Sequence, residues 1–190
     1  MAPAEREERW PLGVFASIDA GFGVRLEVAR CLRVPTMHLH APRSTPRTEQ
    51  TAREFRRRID PLGMRITVVF AGFAGESYAD IPTTAATVGL VPEETRAARA
   101  QEMKEISDFA RTLGCNAVGL HIGFVPEDRD CKSYRGLLDC TRELLDHVAG
   151  NDQNLHLETG QESADHLLEF IADVDRPNLR INFDPANMIL

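Results

Sequence analysis

Asn154-Leu-His-Leu-Glu158 and Leu179-Arg-Ile-Asn-Phe-Asp184 are the stretches that decide the fold. In the first, Leu155 and Leu157 alternate with Asn154, His156 and Glu158. In the second, Ile181 and Phe183 alternate with Arg180, Asn182 and Asp184. A period of two is that of a β-strand, whose side chains leave alternately on its two faces. Each run closes on a carboxylate. Ser163–Val174, between them, reads as a helix. A strand, a helix and a second strand in this order make a parallel pair joined by a right-handed crossover.

Working outward, the same unit repeats. Leu12–Ser17, Thr36–His40, Arg65–Phe70 and Ala117–Ile122 are short apolar runs that read as strands. Val24–Leu32 reads as a helix. Thr45 is placed to cap another, with Pro46 at its first position, running to about Asp60. Pro92 opens a long helix to about Leu113, with Met103, Ile106, Ala110 and Leu113 on one stripe. Lys132–Ala149 carries Tyr134, Leu137, Leu138, Thr141, Leu144, Leu145 and Val148 at helical spacing. The stretch Ala71–Val91 is rich in Gly, Ser and Thr, lacks a period, and is expected to be a long functional loop. The pattern gives six strands and five intervening helices. An open doubly wound sheet and a barrel both fit it. No GxGxxG follows the first strand, which counts against a dinucleotide site.

The chain of 190 residues is long enough for one domain with a sizeable core. Its 43% hydrophobic and 27% charged content is that of an ordinary globular protein. The net charge of −7 gives a nucleic-acid surface no help. Arg53, Arg56, Arg57 and Arg58 read as the solvated face of a helix. No window reaches the 18 or so apolar residues of a membrane helix, and the N-terminus is too charged for a signal peptide. Cys31, Cys115, Cys131 and Cys140 show no CxxC spacing and are expected to be reduced, mostly buried thiols, which fits a cytoplasmic location.

Strand parity brings polar groups together. Ala117, Gly119 and His121 share one face of their strand; Asn154, His156 and Glu158 share one face of theirs. Arg180, Asn182 and Asp184 are expected to face inward, with Ile181 and Phe183 toward the helices. His38 and His40 lie together on the second strand, either as a His-x-His metal pair or as hydrogen-bonded buried imidazoles. His147 and His166 are expected at the surface. Four strands thus end on a polar group at the carboxyl edge, where parallel barrels build their sites. His156, one layer below Glu158, is a candidate supporting residue, as is Asn182. Asn187, three residues past Asp184, either faces a substrate or caps a helix.

His-Leu-His-Ala-Pro (38–42), Gly-Leu-His-Ile-Gly (119–123), Leu-Glu-Thr-Gly-Gln-Glu (157–162) and Asn-Phe-Asp-Pro-Ala-Asn (182–187) resemble the xylose-isomerase-like barrel superfamily, from about Leu12 onward. The resemblance implies an α/β fold of (β/α)8 TIM-barrel type, with residues 1–11 an N-terminal extension and 12–190 a partial barrel domain. It implies one divalent metal held by a Glu, an Asp, a His and a Glu on successive strands. Glu158 matches the first and Asp184 the second; the other two have no counterpart in this chain. Two ligands are expected to hold Mn²⁺, Mg²⁺, Co²⁺ or Zn²⁺ weakly. Glu158 would act as both ligand and proton-transferring base, and Asp184 as ligand. His40, His121 and Asn187 would contact substrate. The implied activity is that of a sugar isomerase or epimerase working beside a carbonyl through an enediolate.

A sheet that stops after six strands leaves two unpaired edges, so self-association is expected, as is a chain that is a fragment or an early stop. A non-catalytic sugar-binding or interaction protein on the same barrel is the alternative. A phosphodiesterase of the endonuclease-IV type, with His38, His40 and His121 as ligands, is disfavoured by the charge.

Overall fold

The structure, a computed structural model, describes residues 10–19 and 23–188. Six strands make one sheet: β1 (Gly13–Ser17), β2 (Thr36–His40), β3 (Arg65–Phe70), β4 (Ala117–His121), β5 (Asn154–Glu158) and β6 (Leu179–Asn182). All neighbours are parallel and follow chain order, β1-β2-β3-β4-β5-β6. A doubly wound sheet would reverse that order at a switch point. This one never reverses, so the connectivity is that of a barrel. Most of the N-terminal extension lies outside the described residues; Trp10 is 92% exposed.

Among the described residues six α-helices join the strands: α1 (Leu26–Leu32), α2 (Glu49–Ile59), α3 (Ile81–Thr87), α4 (Glu93–Thr112), α5 (Lys132–Gly150) and α6 (Ala164–Val174). The core lies between the sheet and these helices. Leu39, Val69, Val118, Leu120, Leu155 and Leu157 from the strands meet Phe55, Ile106, Leu144 and Phe170 from the helices, all buried. On the other face a smaller cluster forms from Val68, Phe70 and Ala117, with Phe15 packed edge-on to Phe70. Gly119 lies beside it, where a Cβ would come within 2.7 Å of the Phe70 ring. Arg53 and Arg56 pair with Glu49 and Asp60 along the exposed side of α2. The four cysteines are free, but they are not mostly buried as expected: Cys115 is buried, Cys131 and Cys140 are half-buried, and Cys31 is exposed. Among the described residues no helix is long and apolar enough to cross a membrane.

Three further expectations need correcting. Thr45 does not cap α2; Thr48 does, its hydroxyl accepting from the Thr51 amide at 3.2 Å. The carboxylate of Asp19 takes the backbone amides of Arg43, Ser44 and Thr45, which holds that segment out of the helix. The stretch 71–91 is not loop throughout, because α3 forms inside it. α3 has no apolar stripe. It is made by Asp80 capping the Thr83 amide, by Pro82 in its first turn, and by Thr84 and Thr87 hydroxyls donating back to Asp80 and Thr83 carbonyls. Phe183 lies past the end of β6 and is 68% exposed, with no helix covering it among the described residues.

Candidate active site

The strand ends set the site. β4 and β5 pair in a register that puts His121 beside Glu158, and β5 and β6 put Glu158 beside Asn182. Thr159 then extends the pairing: its amide donates to the Asn182 carbonyl at 3.1 Å. Its hydroxyl donates to the Asp184 carbonyl at 2.9 Å and accepts from the Asp184 amide at 2.8 Å. These two hydrogen bonds lock the chain after β6 against the chain after β5. Asp184 lies two residues beyond the last β6 residue, in the turn rather than in the strand.

Asp184 shapes the turn that follows. Its Oδ1 accepts from the Ala186 amide at 2.9 Å and the Asn187 amide at 3.4 Å, an arrangement typical of Asp at a turn. The turn sends Asn187 back over β5, where its Nδ2 donates to Glu158 Oε1 at 3.2 Å and to the Thr159 carbonyl at 3.1 Å. So Glu158, Asp184 and Asn187 form one cluster. Glu158 titrates above the usual carboxylate range, first because it is partly buried and then because Asp184 lies close; the Asn187 hydrogen bond partly offsets this. Two acids held together, with neutral amide donors and no cationic side chain among their hydrogen-bond partners, are the electrostatic setting that a cation relieves.

His40 and His121 end β2 and β4 at the same carboxyl edge of the sheet. His121 is buried, and its Nδ1 accepts from the Gly123 amide at 3.1 Å, so the ring proton belongs on Nε2. Burial holds its pKa below the usual value, with Glu162 pulling the other way. His40 is also buried; its Nδ1 lies 2.7 Å from the Ala41 carbonyl and therefore carries the proton. Burial again depresses its pKa. His156 sits beside Gly119 and Arg180 in the register, one layer beneath Glu158. It makes no hydrogen bond to Glu158 among the described residues. Asn182 contributes its carbonyl, through Thr159. His38 lies lower, beside Phe15 and Val68. Among the described residues no three or more His, Cys, Asp or Glu side chains are grouped to hold a metal. The hard-oxygen donors brought together are therefore Glu158 and Asp184.

Sequence reasoning marked 71–91 as a functional connection but missed how its rim is held and which side chain it brings over the site. Gly89 and Gly123, both at positive φ, let the end of the β3–α4 connection and the end of β4 touch: a Cβ on Gly89 would fall 2.1 Å from the Ile122 carbonyl. Leu90 donates to that same carbonyl at 2.8 Å. From this anchored connection Tyr78 reaches the His121 ring, edge-on at 6.2 Å between centroids. A cleft of about 480 Å³ opens between Val125, Glu127, Glu162 and His166.

The model of the family described as the xylose isomerase-like TIM barrel matches residues 27–190. This chain belongs to that family. The crystal structure of a xylose isomerase domain protein from Planctomyces limnophilus is 63% identical, with a TM-score of 0.93 over 97% of this chain and 67% of that one. A D-psicose 3-epimerase from Clostridium cellulolyticum H10, solved with D-tagatose, is 12% identical with a TM-score of 0.68, over 95% of this chain and 65% of that one. A family member from Mycobacterium smegmatis in complex with magnesium is 19% identical with a TM-score of 0.63, over 95% and 66%. At these lower identities the likeness is one of fold. No curated protein matches the sequence. The barrel of this family is thus represented here by six strands, and the chain spans about two thirds of the length of the solved structures it matches.

Proposed function

We propose that this chain carries the acid pair of a divalent-metal-dependent sugar isomerase or epimerase, which moves a proton on and off a carbon beside a carbonyl. One observation carries the proposal: Glu158 and Asp184 meet through Asn187 at the carboxyl ends of β5 and β6, and their proximity helps hold Glu158 above the usual carboxylate range. Relatives of this fold include a sugar epimerase and a magnesium complex, which supports a sugar substrate and a hard cation.

The chemistry follows from the residues. Glu158 is the base. A carboxylate of ordinary acidity is a poor acceptor for a proton next to a carbonyl, and raising its pKa brings it closer to the pH at which it works. Asn187 holds Oε1 through its amide, which fixes the carboxylate plane. Asp184, oriented by the two amides of its own turn, adds a second hard oxygen donor. His40 and His121, neutral through burial, offer imidazole groups to substrate hydroxyls without adding charge. A divalent cation, when held by Glu158 and Asp184, supplies stabilisation of the negative charge that develops on the substrate oxygens.

The test is solvent-deuterium exchange into a panel of ketoses, with Mg²⁺, Mn²⁺ or Co²⁺ added. Exchange is expected in the wild type and lost in Glu158→Gln. A second measurement needs no turnover: the melting temperature rises with added Mg²⁺ in the wild type but not in Glu158→Gln or Asp184→Asn. Exchange that survives Glu158→Gln rejects its role as base. A metal-induced shift that survives both substitutions rejects the pair as the cation site.

A further inference from the structure

The β3–α4 connection places an aromatic ring at the rim, and the way it is held is informative. Tyr78 is 61% exposed, yet the residues just before it are anchored. The Glu76 carboxylate accepts from the Phe73 amide at 2.8 Å and the Gly89 amide at 2.9 Å. The Ser77 amide donates to the Thr87 hydroxyl at 3.1 Å. Arg99, only 5% exposed, donates to the Thr87 and Gly89 carbonyls at 2.7 Å each and to the Ala74 carbonyl at 3.3 Å, with its guanidinium 5.4 Å above the Phe73 ring. A half-buried carboxylate and a buried guanidinium thus frame the connection from inside.

An aromatic ring left in water forgoes the stabilisation that burial would bring. A side chain that only filled space would be covered. The Tyr78 ring meets the His121 ring edge-on, 6.2 Å between centroids at an interplanar angle of 67°. His121 is the register neighbour of Glu158. Partial burial and then the carboxylates of Glu76 and Glu158 hold the phenol well above its usual pKa, so it stays a neutral hydrogen-bond donor. A neutral, flat, partly apolar surface beside acids and imidazoles is what a sugar ring needs, since its C–H face is apolar and its edge carries hydroxyls.

We infer that Tyr78 is a substrate-contacting wall of the site, packing against the C–H face of a sugar held over Glu158. This rests on the sugar-binding site proposed above. Because the connection is fixed before a ligand arrives, little ordering cost falls on binding. The ring surface matters more than the hydroxyl, so Tyr78→Phe keeps the function and Tyr78→Ala loses it.

Saturation-transfer NMR on the full chain with Mg²⁺, using D-fructose and D-tagatose as probes, tests this. Transfer to sugar C–H protons is expected in the wild type and in Tyr78→Phe. It is expected to weaken in Tyr78→Ala, with affinity down about ten-fold and the melting temperature unchanged, as the exposure of the ring requires. The His121 ring protons should also shift in Tyr78→Ala, reporting the lost ring contact. Wild-type transfer retained in full by Tyr78→Ala overturns the inference and leaves the acid-pair site standing. No transfer to either sugar in the wild type overturns the inference together with the sugar-binding site on which it rests.

Discussion

Glu76 and Glu158 are both partly buried carboxyls near the rim, and burial pushes both above the usual acid range. Their partners differ. Glu76 accepts from two backbone amides and lies in the favourable field of Arg99 and Arg43. Glu158 accepts one bond from the Asn187 side chain and faces Asp184. Glu76 is committed to holding a connection in shape. Glu158 is left with charge to spend on something that arrives. On the function proposed above, the number and sign of a half-buried acid's neighbours, more than its burial, would separate a structural role from a chemical one.

The largest expected gap between the two lies in activity. Glu158→Gln should cost about 10³-fold in deuterium exchange, the scale of losing a general base, with little cost in stability; a loss of only a few-fold would break the contrast. Glu76→Ala should show the reverse pattern. It strands two amides and part of the Arg99 charge, so urea unfolding should report a loss of about 2–3 kcal/mol. An unchanged midpoint would mean that the frame under Tyr78 does not depend on this acid.

A smaller effect sharpens the comparison through pH. Glu158 has a raised native pKa, so its protonated form stabilises the fold. That contribution is complete below the unfolded value of about 4.5 and is lost as pH rises through the native one. Glu158→Gln should therefore unfold at a higher urea concentration than wild type at pH 7.5, and the advantage should shrink as pH falls toward 4.5. A variant less stable than wild type at pH 7.5 would contradict the repulsion from Asp184. The smallest effect lies beneath Glu158. Burial depresses His156 first, with His38 and Arg180 adding to it. His38→Gln should raise the His156 pKa in an NMR titration, and no movement would mean that the two imidazoles do not sense each other.

Much of this was legible from residue pattern, and the rest was not for identifiable reasons. Thr36–His40, Arg65–Phe70 and Asn154–Glu158 match the observed strands because short alternating or apolar runs determine both element and face. The same alternation placed His121 and Glu158 at one edge. Periodicity could not reveal α3, since Ile81–Thr87 is held by a cap and by threonine hydroxyls in place of an apolar stripe. Nor could it assign Glu76, two of whose partners, Gly89 and Arg99, lie 13 and 23 residues away. Thr48 displaced Thr45 as a cap because Asp19, remote in sequence, claimed the Thr45 amide. Local signals were readable; partnerships between distant polar groups were not.

Thr159 bears on how this kind of site can diversify. Because its hydroxyl bolts the Asp184 peptide to its own main chain, the positions of the two acids are inherited from backbone and owe little to the connections overhead. The β3–α4 segment, fastened through its own acid and arginine, is a separate module. Exchanging a rim segment of that kind would leave the spacing of Glu158 and Asp184 unchanged.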